Sequence, residues 1–487
     1  MSAGETFAQL HYWAALPEIV ILAAASLILL VDLFVPDERR YITYWLTQLA
    51  LLVATCVTLA TLRLDPIRGY HGMVIDDMLA DFLRIGCFIA VSLMLFYSRS
   101  YMLARGLFRG DVLVLTLFAL LGMQVMITGN NFLTLYLGLE LMSLSLYALV
   151  ASRRDYPRGA EAAMKYFVLG ALASGMLLYG LSMIYGATGS LDLDTVARAI
   201  YGRHVSPALL TFGVVFIVSG LAFKLAVVPY HMWVPDVYDG APTSMTVLIG
   251  TAPKLAAFAM TLRILSGALQ GSAFDWQGML IILCVLSMVL GNLVAIAQTN
   301  LKRMLAYSTI ANMGYMLLGF LTANRYGFSA AMFYTVSYAL TSLASFGMIM
   351  LLSRDGHESD RLDDFMGLNQ RSPWWAFVML LVMFSLAGLP PTLGFYAKFM
   401  VIEAAINEGF VWLAVVAVMT SLVGAFYYLR VVKLMYFDDP VDTSPIVVRP
   451  DTWLALSANG VLLLILGVLP QQLIGLCAIA LTQSNFP

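Results

Sequence analysis

The feature that most constrains this chain is a succession of apolar segments, each long enough to cross a lipid bilayer as a helix. A helix needs about 20 mostly apolar residues to cross the hydrocarbon core. By this criterion the spans lie near 17–35, 44–62, 78–98, 111–129, 132–151, 163–187, 208–234, 242–267, 276–297, 302–322, 328–353, 373–406, 410–433 and 453–476. Membrane-barrel strands have about 10 residues. The sequence therefore predicts an all-α integral membrane protein of about fourteen transmembrane helices.

The composition supports a single membrane domain. The chain has 487 residues, of which 61% are hydrophobic and 11% charged, whereas soluble domains carry about 25% charged residues. No polar linker divides the apolar segments, so we predict one polytopic membrane domain over residues 1–487. The net charge of -2 offers no basic surplus for nucleic acid. We expect lipid as the surrounding solvent and no nucleic acid as a partner.

The short loops predict the orientation, because Lys and Arg concentrate in loops on the cytoplasmic side. The loops that follow odd-numbered spans, with the span ends beside them, carry 17 basic residues: Arg39, Arg40, Arg99, Arg105, Arg109, Arg153, Arg154, Arg158, Lys165, Lys302, Arg303, Arg354, Arg361, Arg371, Arg430, Lys433 and Arg449. The opposite side carries only Arg63, Arg68, Arg198, Arg203 and Arg325. We therefore predict that both termini lie on the non-cytoplasmic side.

Five basic residues fall inside predicted spans: Arg84, Lys224, Lys254, Arg263 and Lys398. Arg84 and Arg263 lie within a turn or two of span ends, so we interpret them as snorkelling to the interface. A lysine at a helix centre costs roughly 2.5–3.5 kcal/mol on insertion scales. The three lysines therefore each need a partner, a water molecule or a neutral state.

All three lysines lie near a proline, as Lys224 does with Pro229, Lys254 with Pro253 and Lys398 with Pro391. Proline removes a backbone donor and leaves free carbonyls, which at membrane depth need another partner. The carbonyl end of a half-helix carries partial negative charge and would attract an ammonium. We therefore predict broken helices in the spans 208–234 and 373–406.

Glu140, central in the span 132–151, is the natural counter-charge for these lysines. Moving a carboxylate relative to a buried lysine could switch that lysine between charged and neutral, as a proton relay requires. The alternative is a static ion pair that fixes helix register. His231 is a further candidate for proton transfer, although a histidine in a loop is equally often a hydrogen-bonded structural residue.

Hydroxyl groups repeat along two later spans, at Tyr307, Ser308, Tyr334, Ser337, Tyr338, Thr341, Ser342 and Ser345. Their spacing of about three to four residues places most of them on one helical face. They could hold a water chain that links Lys254 to Lys398. Helix packing through small and polar residues is the competing explanation.

The sequence predicts no cofactor, metal or redox centre on this chain. The four cysteines, Cys56, Cys87, Cys284 and Cys477, lie in apolar stretches without the spacing of a metal or cluster site. No phosphate-binding, dinucleotide or metalloprotease motif occurs on a plausible element.

Five segments carry a resemblance to a known family: Gly138–Leu141, Phe223–His231, Trp233–Pro242, Gln298–Arg303 and Gly394–Phe399. In them the chain resembles the antiporter-like membrane subunits of respiratory NADH:quinone oxidoreductase, complex I, most closely those of the N type. Lys398 distinguishes it from the M type, which has a glutamate there. Asn312 departs from the family, whose members often have a histidine at this position.

The resemblance implies two inverted five-helix repeats, at about 111–267 and 276–433, flanked by three N-terminal helices and one C-terminal helix. Each repeat would contain a broken helix, one carrying Lys224 and the other Lys398. Glu140 and Lys224 would form a charge pair, Lys254 the central relay, and Lys398 the outlet or the transfer site to a neighbouring subunit.

The function implied is proton translocation, driven by electron transfer from NADH to quinone in partner subunits of complex I. NADH, flavin, iron-sulfur clusters and quinone would be bound by those partners. Neighbouring antiporter-like and small membrane subunits, together with lipids, would surround the chain in the bacterial inner membrane. Two alternatives remain open: a subunit of a multi-subunit sodium/proton antiporter, and a structural scaffold held together by charge pairs.

Overall fold

A computed structural model describes residues 10–153, 155–202, 205–354, 356–442 and 444–484. Arg154, Arg203 and both chain ends, which entered the prediction of orientation, lie outside the described residues. The helices are α1 Leu16–Asp32, α2 Tyr41–Thr61, α3 Met78–Ala104, α4 Gly110–Thr128, α5 Phe132–Val150, α6 Pro157–Thr188, α7 Leu193–Tyr201, α8 Pro207–Leu225, α9 Trp233–Gly240, α10 Thr243–Gly250, α11 Ala252–Leu262, α12 Ala273–Ile296, α13 Leu301–Leu321, α14 Arg325–Leu352, α15 Leu368–Arg371, α16 Pro373–Ala387, α17 Leu393–Asn407, α18 Val411–Phe437, α19 Pro450–Val468 and α20 Gln471–Gln483.

The predicted all-α membrane fold is confirmed. Within the described ranges, 13 helical segments are long and apolar enough to cross a membrane, and α16 is a shorter apolar helix. Helices α16 and α17, separated by a break, together match the predicted span 373–406 and bring the number of spans in the described part to fourteen. The only β-sheet in the described part is a hairpin of two short strands between α2 and α3. Its strands, β1 (Ile67–Gly69) and β2 (Val74–Asp76), pair antiparallel.

Two of the predicted helix breaks lie beside left-handed residues. Helix α8 ends at Leu225, where Ala226 takes φ 69°, and the chain becomes helical again only at Trp233. Helix α16 ends at Ala387, where Gly388 takes φ 79°. The span at 208–234 is therefore two helices, as predicted, because the left-handed turn and Pro229 interrupt the hydrogen-bond ladder.

Three further details differ from the prediction. The span at 242–267 is interrupted at Thr251, which joins α10 to α11, and it ends in a π-helical turn, Arg263–Ala268. The last span divides into α19 and α20 around Pro470. The sequence reading also missed α7, a nine-residue helix whose N-terminus is capped by the Asp192 side chain, because its short length is below that of a span.

Two helix pairs pack in corresponding ways. Helices α4 and α5 approach so closely that a Cβ at Gly122 would lie 2.7 Å from the carbonyl oxygen of Gly138. In the later pair, α12 and α13, a Cβ at Gly291 would lie 2.7 Å from the backbone nitrogen of Ala311. The order of helices is consistent with two repeats. Helices α10, α11, α13 and α14 form the almost fully buried centre.

Candidate functional site

Lys224 lies in the last turn of α8, facing α5. Its Nζ donates a hydrogen bond of 2.9 Å to Ser143 Oγ, and Ser143 lies three residues after Glu140 on the same helix. Glu140 Oε1 is buried and has no hydrogen-bond partner among the described residues. The Glu140–Lys224 pair implied by the family resemblance is not a direct salt bridge within the described residues. Ser143, which sequence reasoning missed, is the group that Lys224 contacts instead.

Lys254 reaches from the first turn of α11 to the broken end of α8. Lys254 is only 2% exposed. Its Nζ lies 3.3 Å from the Lys224 carbonyl oxygen and 3.5 Å from the Leu225 carbonyl oxygen. The indole of Trp233 lies 5.5 Å from the same ammonium. The lysine thus occupies the end of a half-helix, where the free carbonyls attract positive charge.

Lys398 makes the equivalent arrangement at the second break. Its Nζ donates to the Ala387 carbonyl at the end of α16, at 2.9 Å, and to Ser421 Oγ, at 3.0 Å. The ring of Tyr315 lies 5.0 Å from the ammonium. Both breaks therefore bind a lysine ammonium through backbone carbonyls, as the sequence argument predicts. At the first break that lysine is Lys254, whereas Lys224 lies on the helix that supplies the carbonyls.

A polar network adjoins Lys398. A cavity of about 10 Å³, close to the minimum for one water molecule, is lined by Asn312, Tyr334, Ser337, Tyr338, Thr341, Ser385, Leu386, Gly394, Ala397 and Lys398. The Tyr334 hydroxyl donates to Asn312 Oδ1 at 2.7 Å, and the Thr341 and Ser385 hydroxyls are 3.0 Å apart. Ser337 and Thr341 also donate to carbonyls of their own helix, which agrees with the packing explanation as well.

The same hydroxyl face approaches the α10–α11 junction at Gly250, four residues before Lys254. A Cβ at Gly250 would lie 3.3 Å from the Tyr238 hydroxyl and 3.4 Å from the Ser342 hydroxyl. Neither hydroxyl has a hydrogen-bond partner in the described part of the chain. Polar groups thus extend from the region of Lys254 to the cavity at Lys398.

His231 lies in the segment between α8 and α9. It is half-buried, and its Nδ1 has no hydrogen-bond partner among the residues described. None of the described hydrogen bonds joins it to Glu140 or to the three lysines. Its role in proton transfer stays a prediction.

The interpretation of Arg84 and Arg263 as snorkelling residues is wrong. Arg84 is 0% and Arg263 3% exposed. Arg84 contacts the carboxylates of Glu18, Asp76 and Asp81, and Arg263 pairs with Asp77. The β1–β2 hairpin and α1 bring carboxylates to these arginines, so the guanidinium groups need not reach water.

Sequence reasoning also missed a buried polar cluster at the start of α13. Lys302, interpreted as a loop residue, is 2% exposed and donates to the carbonyls of Asp239 (3.2 Å) and Ala241 (2.9 Å) at the end of α9. Glu358, in the loop after α14, accepts hydrogen bonds from the Tyr101 hydroxyl (2.9 Å) and Arg105 Nε (3.2 Å). The available signal was the family motif Gln298–Arg303, which contains Lys302.

Glu358 is the titratable member of this cluster that lies outside the spans. Burial alone would raise the pKa of Glu358, but the ammonium of Lys302, the hydroxyl of Thr243 and the guanidinium of Arg105 hold it below its ordinary value. Glu358 is therefore ionised at neutral pH and fixes the loop against α10 and α3.

The described residues contain no group of three or more His, Cys, Asp or Glu side chains arranged to hold a metal ion. The groups that make up the arrangement around the three lysines are ammonium, carboxylate, hydroxyl and backbone carbonyl groups.

Comparison with known proteins identifies the family. The family described as NADH:quinone oxidoreductase/Mrp antiporter, TM, matches residues 129–424. A chain of respiratory complex I from Thermus thermophilus with bound Aureothin superposes with a TM-score of 0.81 at 33% identity, covering 95% of this chain and 99% of that chain. A chain of the Mrp complex from Dietzia sp. gives a TM-score of 0.84 at 21% identity, covering 97% of both chains, and shows the shared fold.

The chain therefore belongs to the antiporter-like family of membrane subunits that NADH:quinone oxidoreductase and the Mrp antiporter share. NADH-quinone oxidoreductase subunit N of Thiobacillus denitrificans is 57% identical over 475 residues, which cover 98% of each chain. Within the family the chain is therefore similar to subunit N. This confirms the resemblance to the N type that the motifs indicated.

Proposed function

We propose that this chain is a proton-translocating membrane subunit of NADH:quinone oxidoreductase, with Glu140, Lys224, Lys254 and Lys398 as its relay. The observation that carries this proposal is the position of Lys254. Its ammonium lies on the carbonyls of the half-helix that carries Lys224, and no carboxylate forms a salt bridge with it within the described residues. A cation held only by neutral groups is one whose proton can leave without breaking an ion pair.

The relay uses hydroxyl groups as intermediates. Ser143 accepts from Lys224 and itself donates to the Leu139 carbonyl at 2.6 Å. A hydroxyl can both donate and accept. If the Ser143 hydroxyl turned from the Leu139 carbonyl to the unpartnered oxygen of Glu140, it would give its own proton to Glu140 and take one from Lys224. Ser421 has the equivalent contact with Lys398. His231 has no such contact and enters this proposal only as an auxiliary group.

The charge of Glu140 provides the coupling. An ionised Glu140 favours the charged form of Lys224, and a charged Lys224 disfavours a second charge on nearby Lys254. Protonation of Glu140 would therefore weaken the hold on the Lys224 proton and permit charge on Lys254. The hydroxyls of α14 and the cavity lined by Asn312 would then connect Lys254 to Lys398.

The proposal places the redox chemistry elsewhere. NADH, flavin, iron-sulfur clusters and quinone would be bound by partner subunits, and this chain would contact neighbouring antiporter-like and small membrane subunits and lipids. The membrane would be the bacterial inner membrane, with both termini on the non-cytoplasmic side. That orientation puts the cluster of Lys302 and Glu358 at the cytoplasmic end of the bundle.

The test uses the whole complex in sealed proteoliposomes and measures protons moved for each NADH oxidised. We expect Lys254→Met, and separately Lys224→Ala, to abolish the share of pumping that passes through this subunit. The control is Lys433→Met, because Lys433 pairs with Asp438 on an exposed surface. Unchanged stoichiometry in the two relay variants would refute the relay and favour a scaffold. Sodium transport without an NADH-oxidising partner would favour an antiporter.

A further inference from the structure

A second buried group of charges lies at the opposite end of the bundle from Lys302. Arg84 is fully buried in α3, and its Nη2 lies 2.8 Å from Glu18 Oε1 and 3.0 Å from Glu18 Oε2. Its Nη1 contacts Asp76 and lies 3.2 Å from Asp81 Oδ1. Three carboxylates, from α1, β2 and α3, thus surround a single guanidinium.

Arg263 forms the neighbouring pair. Its Nη2 lies 3.0 Å from Asp77 Oδ1 and its Nη1 3.2 Å from Asp77 Oδ2, and its Nε donates to the Ile127 carbonyl. Asp77 follows Asp76 directly in the chain, so the two groups of charges are adjacent. Each of these charged side chains is at most 8% exposed.

The charges in this region do not balance. Among the described residues, four carboxylates face two guanidiniums, a surplus of two negative charges, because arginine stays protonated in proteins. Like charges that share a buried site cannot all be ionised, so at least one carboxyl retains a proton that belongs to the group as a whole. Burial, the largest effect, raises the pKa of Asp76 above its ordinary value despite its contact with Arg84.

A cavity lies beside this region. Its volume is about 340 Å³, enough for several water molecules, and its lining includes Ile75, Asn130, Arg263 and Ser266. It adjoins the carboxylates around Arg84 through two lining residues, Arg263, which pairs with Asp77, and Ile75, which precedes Asp76 in the chain. Ser266 is 2% exposed, and its Oγ has no hydrogen-bond partner within the described residues. A buried hydroxyl without a partner on a cavity wall indicates that the cavity holds water.

The outer rim of the cavity is formed by exposed residues. Arg68 and Asp194, with side chains 56% and 42% exposed, form a salt bridge of 2.6 Å there. Arg325 also lines the cavity. These residues, in β1, in α7 and at the start of α14, lie on the side with few basic residues, which the predicted orientation places outside the cytoplasm.

Other groups face the carboxylates from the remaining elements. Thr128 of α4 donates to Glu18 Oε1 at 3.2 Å, and Tyr70 of the hairpin is close enough to respond to the charge of Glu18. Gln124 lies one turn before Thr128 on the same face of α4. It is fully buried, and neither its Oε1 nor its Nε2 has a hydrogen-bond partner in the described part. Polar groups therefore continue from the cluster toward the interior.

We propose that Glu18, Asp76, Asp81 and Arg84 form a proton-binding site that exchanges its proton with the outer aqueous phase through this cavity. The site binds one proton at neutral pH, held between carboxylates around Arg84. Only its role as an outward port rests on the proposed function; the bound proton follows from the charge count and the cavity.

The test records infrared spectra of the intact purified complex at rest, without NADH, and follows the C=O stretching band of protonated carboxyl groups. We expect Asp81→Asn and Asp76→Asn each to reduce this band at pH 7 by the equivalent of about one carboxyl group. The matched control is Asp275→Asn, since Asp275 is also in the first turn of a spanning helix but is exposed. Asp81→Glu, which keeps the carboxyl, should retain the band.

Access is tested separately by transfer into D₂O. We expect Ser266→Phe, which places a ring on the inner wall and narrows the cavity, to slow the deuterium shift of the band several-fold while its area stays the same. An equal band at pH 7 in the wild type and both Asn variants would overturn the proton site, and an unchanged exchange rate in Ser266→Phe would overturn the route. If Asp81→Asn fails to assemble, Asp76→Asn decides. Because no turnover occurs, either failure is distinct from failure of the lysine relay.

Discussion

Replacing Ser143 by alanine tests the proposed relay at the contact that the structure added. The variant removes the 2.9 Å hydrogen bond to Lys224 and leaves the ammonium without that acceptor. Ser143 is 1% exposed, so bulk water does not readily replace the hydroxyl. In the proposed relay, Ser143 is the positioning and transfer group between Glu140 and Lys224.

The size of the effect follows from the type of bond. Hydrogen bonds to charged groups contribute about 1.5–3 kcal/mol, and each 1.36 kcal/mol in a barrier changes a rate about tenfold. If the contact operates during proton transfer, Ser143→Ala should slow transfer through this subunit by about ten- to a hundredfold. Ser143→Thr keeps the hydroxyl and should restore most of the rate.

The assay is NADH-driven proton uptake or release by the intact complex in proteoliposomes, recorded over a range of pH. The matched control is Ser145→Ala, because Ser145 lies on the same helix but donates only to the Leu141 carbonyl of its own helix. A purely structural hydroxyl would lower complex yield and leave the pH profile of pumping in place. Equal pumping and equal pH profiles in the two alanine variants would refute the reasoning.

Two further predictions concern Lys398 and the Glu358 cluster. Gly388→Ala should displace the Lys398 side chain and lower pumping. Gly388 has φ +79°, and a Cβ there would lie 2.7 Å from Lys398 Cδ. The control is Gly475→Ala, which should preserve pumping because a Cβ at Gly475 would have no neighbouring atom within 4 Å. Because the pKa of Glu358 is held below its ordinary value, its contacts stabilise the fold above pH of about 4.3 and are lost as pH falls through the lowered pKa. Glu358→Gln should therefore lower the thermal unfolding midpoint of the complex at neutral pH and flatten its decline on the acid side, and an unchanged acid profile would contradict this.

The sequence could predict the lysine sites because the signals are local. A lysine in an apolar stretch indicates a charge that is costly to bury, and a proline within a few residues indicates free backbone carbonyls. In the structure Lys254 and Lys398 bind such carbonyls. The direct partner of Lys224 could not be predicted in the same way. Whether Lys224 contacts Ser143 or Glu140 depends on how α5 and α8 are rotated relative to each other. This rotation cannot be read from either segment of the sequence alone.

The two buried arginines were missed because their partners come from distant parts of the chain. Glu18 reaches Arg84 from α1, 66 positions away, and the hairpin must fold back before Asp76 can contact it. A residue near a span end therefore looks exposed in the sequence while a folded loop covers it in the structure. Lys302 was missed for a related reason, since its acceptors lie at the end of α9.

The buried cations divide by chemistry. The arginines inside the bundle, Arg84 and Arg263, are paired with carboxylates, whereas Lys254, Lys302 and Lys398 rest on the carbonyl ends of α8, α9 and α16. Arginine keeps its proton and is therefore a permanent positive charge. Where carboxylates outnumber the arginines, the groups that titrate are carboxylates. Lysine can lose its proton. A neutral carbonyl oxygen does not accept that proton, and it stabilises the charged ammonium less than a carboxylate in an ion pair would. The two proposals together therefore give the bundle two kinds of proton site: carboxylates around a permanent cation at one end, and lysines that lie on helix ends.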